Sequence, residues 1–358
     1  MASCFHLNTS NISRLQDSFN FSALAMDLCN SSDNSLGISS IIFTCLYTLI
    51  FVFGLLLNVL ALWVFFHIRT QNRTFMLYLR NMAVADLLMT LTLPINVLIE
   101  AKVAPQWLEV VSCNYTAVLF YCCMYASILF LGLVGLDRYL KIVRPFGVTC
   151  LYSYSFTVVM AVMVWVAMTS LSLPNALLTN QTSTQTTNNC AALKSNLGIK
   201  WHGLVIYINI MIFFLVLFTL LTCYISIYRH IHRSSAQFVT VGETNSRKAR
   251  KGQNIFILLV VFFICFVPYH LCRIPFTKSQ TDGVQMNCVL QIGKQATLLL
   301  AMSNVCLDPI IYFLMCKSFR NKLFETVGIW TTEDKMSMYS PGSRRKTAVV
   351  MIFKENSS

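Results

Sequence analysis

Five side chains could together hold an anion. Arg273 and His270 are three positions apart, so on a helix they share a face, with Arg273 five residues past Pro268. That spacing puts Arg273 about one helical turn beyond the proline kink. Lys294 precedes Pro309 by 15 residues, near the outer end of its own apolar segment, and Lys194 and His202 flank the same mouth. Cations converging on one pocket suit phosphate oxygens, and an arginine can grip two of them at once. A plainer possibility is a rim of charges snorkelling toward water. Tyr121 and Tyr125, at i and i+4, either stack on a ligand base or are ordinary core aromatics.

A second set of ionisable residues lies deeper. Asp86 and Asp308 fall inside apolar segments, where a charge is costly and usually functional. With Asn58 and Asn304 they form either a satisfied structural network or a hydrated switch that could hold an ion, sodium near Asp86 being the candidate. Asp137-Arg138-Tyr139 closes the third apolar segment. Cys113 and Arg138 are 25 residues apart, which is about 37 Å of helix, so they reach opposite mouths. No nucleophile–base pair or metal-ligand spacing is present, so an enzyme is not expected, nor a bound metal or cofactor other than that ion.

These residues need a membrane to position them. Of 358 residues 56% are hydrophobic and only 11% are charged, against roughly a quarter charged in soluble domains. The net charge of +13 is no sign of a nucleic-acid polymer as partner, because it is crowded into short connections (Arg247, Lys248, Arg250, Lys251) and the tail (Arg344, Arg345, Lys346). Short basic connections mark the cytoplasmic side of a multi-pass protein. Apolar segments near 39–67, 75–100, 112–141, 153–177, 202–232, 252–276 and 289–315 predict an all-α membrane protein, a seven-transmembrane helix bundle. The opposite connections are weakly charged. Asn8, Asn11, Asn20, Asn30 and Asn180 are acceptors for N-glycosylation. Both patterns put the N-terminus outside the cell and the C-terminus inside. The expected organisation is an extracellular segment 1–38, the bundle 39–315, an amphipathic membrane-surface helix 316–327 and a disordered tail 328–358. That helix would carry Phe319, Leu323 and Phe324 on one face and basic residues on the other. No cleavable signal precedes residue 40, so the first span is expected to act as the insertion signal. Cys4, Cys29, Cys113, Cys190 and Cys288 lie at helix ends or in polar segments, where an oxidising exterior favours disulfides.

The motifs resemble the rhodopsin-like G-protein-coupled receptors. They are Gly54…Asn58, Asn81…Asp86, Cys113 with Asp137-Arg138-Tyr139, Trp165, Tyr224, Phe262…Cys265…Pro268 and Asp308-Pro309-Ile-Ile-Tyr312. The family more often has Asn where Asp308 stands. The resemblance spans about residues 45 to 325 and implies a plasma-membrane receptor for a heterotrimeric G protein. In such a receptor Asp137 restrains Arg138 at rest. Prolines 268 and 309 loosen their helices, and Tyr224 and Tyr312 receive the arginine when the inner cavity opens. It also implies a bridge between Cys113 and Cys190.

A narrower resemblance concerns the ligand. Pro268-Tyr-His270…Arg273…Thr281, Leu173-Pro-Asn175, Leu193-Lys194-Ser195 and Trp201-His202 look like the Gi-coupled purinergic branch that responds to ADP or UDP-sugars, with its orphan and lysophospholipid-responsive relatives. It implies a small anionic extracellular ligand with Asn175 among the residues that bind it, Gi as the partner, and a pairing of Cys29 with Cys288, for which Cys4 is a rival. Where that branch often has Asn, Tyr and Glu, this chain has Ile206, Phe276 and Gln295. Those changes keep open a lysophospholipid, with a phosphate head and an apolar remainder. A transporter or channel is the remote alternative, since it would favour broken helices, repeats or a ring of midplane charges.

Overall fold

The computed structural model describes residues 34–68, 73–144, 153–179, 190–237, 242–281 and 288–327. The glycosylation acceptors, the side chains of Cys4, Cys29 and Cys288, the basic side chains from Arg247 to Lys251 and the tail beyond residue 327 lie outside the described residues.

Among the described residues seven stretches are long and apolar enough to cross a membrane, each of 23 residues or more, where about 20 suffice. The helices are α1 (Asn34–His67), α2 (Arg73–Glu100), α3 (Gln106–Val143), α4 (Tyr154–Leu177), α5 (Asn196–Gln237) and α6 (Gly242–Thr281). The seventh span is split into α7 (Cys288–Met302) and α8 (Asn304–Met315), and a short α9 (Lys317–Val327) follows.

The bundle has the polarity expected of lipid as solvent. Large apolar side chains such as Leu56, Phe66, Met211 and Phe218 are exposed, while Asn58, Asp86, Ser127, Asn304 and Asp308 are buried. Lipid cannot hydrogen-bond a polar group, so the polar groups turn inward to one another. The most buried span is α3, which packs against α2, α4 and α5. The Trp165 Nε1 on α4 donates to Asn81 Oδ1 on α2 at 2.9 Å, locking those helices in register.

Prolines shape the helices through the bonds they remove. Pro309 has no N–H to give to the carbonyl four residues earlier, Val305. That freed oxygen instead accepts from Asn58 Nδ2 of α1 at 2.8 Å, and the same amide donates to Gly54 O at 2.9 Å. A backbone defect in the seventh span is thus the docking point of the first.

Several boundaries differ from the expected ones, and three of the differences reflect packing or a local turn. The third span begins at Gln106, six residues before the expected start, and passes through a π turn at Ser112–Thr116. The fifth begins at Asn196 instead of 202 because Gly198 lies against α4. A Cβ there would sit 2.3 Å from the Leu178 carbonyl, so only glycine admits the close approach. The seventh breaks at Ser303, whose carbonyl accepts from Cys306 N at 3.0 Å in a tight turn. The short α9 forms as expected. Phe319 packs against the rings of Phe65 and Tyr312, and Phe324 against Phe313.

Asn58→Ala would leave the Val305 carbonyl buried without a donor, which typically costs about 1–3 kcal/mol. The purified variant should melt at a lower temperature than wild type. An unchanged melting temperature would show that the contact does not hold α1 to α8.

Candidate ligand-binding site

The segment joining α4 to α5 is tied down at both ends. Cys190 is bonded to Cys113, with Cα atoms 5.3 Å apart. Ser195 N donates to Leu178 O at 3.1 Å, and Thr179 pairs with Lys194 in an antiparallel bridge. Lys194 is therefore held over the end of the bundle that carries Cys113.

Beneath it lies a cavity of about 610 Å³ lined by Tyr121, Tyr125, Asn175, Lys194, His202, Arg273 and Lys294. Seven of the eight side chains expected to bind ligand thus meet in one place, brought there by α3, α4, α5, α6, α7 and the bridged segment. Asn175 is the joint on the α4 side. Its Oδ1 accepts from Lys194 Nζ and from His202 Nδ1, each at 3.3 Å, which puts the imidazole proton on Nδ1.

Arg273 is 8% exposed. Its Nη1 donates to Tyr121 OH at 3.3 Å, and its guanidinium lies 5.3 Å from the Tyr121 ring centre and 5.9 Å from that of Tyr269. Lys294 Nζ sits 4.3 Å over the Phe276 ring. Among the described residues, none of Arg273, Lys294 and Lys194 forms an ion pair with a carboxylate. Burial, and then the Arg273 charge, push the Lys194 ammonium down to about 8.

The eighth side chain, His270, lies elsewhere. It is fully buried behind the cavity wall, with Nε2 3.1 Å from Tyr125 OH, Nδ1 2.8 Å from Phe266 O, and its ring stacked 3.7 Å from that of Phe213. It supports Tyr125, and Tyr269 takes its place in the wall. Tyr269 and Asn209 were not foreseen as lining residues. Asn209 is one turn along α5 from Ile206, on the same face, a spacing that would have pointed to it.

At the other end of α3, Asp137 holds two cations. Arg138 Nη2 and Nε reach its Oδ2 at 2.6 and 3.1 Å, and Lys141 Nζ reaches its Oδ1 at 2.8 Å. Thr74 of α2 accepts from Lys141 at 2.8 Å, and the Arg138 guanidinium lies 3.7 Å over the Phe75 ring. Tyr139 is half-buried beside them. The two tyrosines expected to receive the arginine are engaged elsewhere. Tyr224 lies against Phe256, and Tyr312 OH donates to Asp86 Oδ2 at 3.3 Å. Pro268 is within α6, between the two ends.

Between the ends, Ser127 Oγ donates to Asp86 Oδ1 at 3.0 Å and Asn304 Nδ2 to Asp308 Oδ2 at 2.8 Å. Asn58 Oδ1, Asn304 Oδ1 and Asp308 Oδ1 are buried without a hydrogen-bond partner. Among the described residues no group of three His, Cys, Asp or Glu has the arrangement of a metal site.

Residues 57–312 match the model of the 7 transmembrane receptor (rhodopsin family). The chain is similar to G-protein coupled receptor 87 of Mus musculus, 50% identical over 83% of either chain. It is 40% identical to purinoceptor 13 of Homo sapiens, over 85% of this chain and 86% of that one. With purinoceptor 14 of Bos taurus it shares 42% identity over 79% of this chain and 85% of that one.

Proposed function

Because the chain belongs to the rhodopsin family of seven-transmembrane receptors, we propose that it signals through Gi in response to an extracellular ligand bearing phosphate. Membership makes it a multi-pass plasma-membrane receptor of the purinoceptor-like branch, coupled to a G protein and not an enzyme. In our reading the N-terminus is extracellular, so the Cys113 end faces the ligand and the Arg138 end faces Gi.

One observation carries the ligand reading: a buried guanidinium and two lysines share a cavity with no carboxylate to balance them. Charge taken out of water without a counter-ion is costly. An anion entering the cavity removes that cost, and Arg273 can meet it with two parallel N–H bonds. The purinoceptor names of two relatives support a nucleotide, with Tyr121 and Tyr125 as stacking faces for its base. A second reading, a lysophospholipid, is favoured by the apolar lining from Val205, Ile206 and Phe276, which suits an acyl chain better than a ribose.

Signalling then links the two ends. Ligand contact with Arg273 bears on α6 above Pro268, and outward movement of α6 would open the Arg138 end to the G protein. Arg138, released from Asp137, would meet Tyr224 and Tyr312. The Asp86 cluster fits a small monovalent cation such as sodium, since it offers buried carboxylates and oxygens without donors. Asp86 and Asp308 would hold it, and it would neutralise their charge in the resting receptor.

A charge-assisted hydrogen bond is worth about 1.5–3 kcal/mol, so Arg273→Ala should weaken the potency of a phosphate-bearing agonist about 10- to 150-fold in a cyclic-AMP assay. Arg273→Lys should restore only part of it. Potency that survives Arg273→Ala together with Lys294→Ala would end the anion reading while leaving the family intact.

Lys194 adds a pH dependence. An ammonium that titrates near 8 is charged below that value and neutral above it, so its hold on an anion is lost as pH rises. Inorganic pyrophosphate, followed by its stabilisation of the purified receptor, should bind up to about tenfold less tightly at pH 9 than at pH 7. Lys194→Met should flatten that profile. An equally steep profile in the variant would assign the titration to another group.

A further inference from the structure

A second cavity of about 290 Å³ opens between α1, α2, α3 and α7, and it shares Ala117, Tyr121, Gln291 and Lys294 with the first. It carries a carboxylate that the first lacks. Glu100, the last residue of α2, lines it and is the one carboxylate that either cavity presents. Gln295 Nε2 donates to its Oε2 at 2.5 Å, the Lys102 charge acts on it only through space, and among the described residues no lysine or arginine forms an ion pair with it. Its backbone carbonyl accepts from Ser40 of α1, which fixes the end of α2.

Three aromatic rings complete the wall, those of Tyr47, Phe120 and Tyr121. Phe120 and Tyr121 stand edge to face, with ring centres 5.2 Å apart. Aromatic faces around a carboxylate attract an ammonium group twice, through the ring quadrupoles and through the full negative charge. Lys294 does not supply that cation from within. Its Nζ is committed to the face of Phe276, which lines the first cavity and not the second.

We propose that this second cavity is an ammonium subsite, with Glu100 as the counter-charge and Tyr47, Phe120 and Tyr121 as the enclosing rings. The inference rests on the first cavity being the phosphate site. Together they describe a ligand with a phosphate at one end and an ammonium at the other. A cavity that offers a carboxylate beside one that offers only cations selects for such a dipolar molecule. A ligand carrying phosphate alone satisfies Arg273 and leaves Glu100 without an ion-paired cation among the described residues.

The test uses the full-length receptor, purified, with choline as probe and 3,3-dimethylbutan-1-ol, its uncharged isostere, as comparison, at fixed ionic strength. A ligand that binds only the folded state raises the melting temperature with its concentration. Choline should half-saturate that rise at a concentration about tenfold or more below the isostere, the range expected for a desolvated cation over aromatic rings. Glu100→Gln, which keeps the shape and the Ser40 contact to the backbone, should erase the difference. Arg273→Ala should preserve it while abolishing stabilisation by pyrophosphate. Equal effects of choline and its isostere, or a choline preference that persists in Glu100→Gln, would overturn the subsite. If that happened while pyrophosphate still depended on Arg273, the phosphate reading would stand alone. Loss of the Arg273 dependence for pyrophosphate would sink both.

Discussion

Everything in this bundle follows from the cost of leaving a charge or a backbone group unpaired where water is scarce. Most of the chain meets that constraint internally. Asn58 caps the carbonyl that Pro309 leaves free, and Trp165 reaches Asn81 across two helices. Asp137 neutralises Arg138 and Lys141 at one end. At the other end the constraint is left unmet. Arg273 is 8% exposed, and among the described residues its guanidinium meets the Tyr121 hydroxyl and two ring faces but no carboxylate. On the function proposed above, that guanidinium would receive an anion, and its place on α6 beyond Pro268 would let the anion bear on that helix.

The two ends differ in a way that suits a switch. The Asp137 clasp is complete without ligand and, on the function proposed above, would hold the resting state. The cation cavity is completed by what enters it. Between them Tyr312 is held on Asp86, and the seventh span is already broken at Ser303 and weakened at Pro309. A helix with two interrupted hydrogen-bond ladders needs little energy to change its path. The polar cluster around Asp86 and Asp308, with buried oxygens that lack donors, is where such a change would be felt first.

Much of this was legible in the sequence because its rules are one-dimensional. Apolar length fixes the spans, and counting from Pro268 and Pro309 fixes the depth of Arg273 and Lys294. Depth is not direction, however. Residues three apart on a helix differ by about 60° in azimuth and those four apart by about 40° to the other side. Tyr269 therefore stands closer to the line of Arg273 than His270 does, and His270 turns to Phe213 of α5. The π turn at Ser112–Thr116 and the early start of α5 depend on packing against α4 and the bridged segment, which no local pattern encodes. The second cavity was invisible for the same reason. Glu100 and Gln295 are 195 positions apart and meet only when the fold brings the end of α2 to α7.

The central claim, a G-protein receptor held at rest by Asp137, can be tested without knowing the ligand. Ligand-free guanine-nucleotide exchange on an added Gi heterotrimer should rise in Asp137→Asn relative to wild type, because the amide keeps the shape of the carboxylate and loses the charge that binds Arg138. It should fall to the rate of the G protein alone when Arg138→Ala is added. Exchange that stays at the rate of the G protein alone in the correctly folded Asp137→Asn receptor would contradict the account.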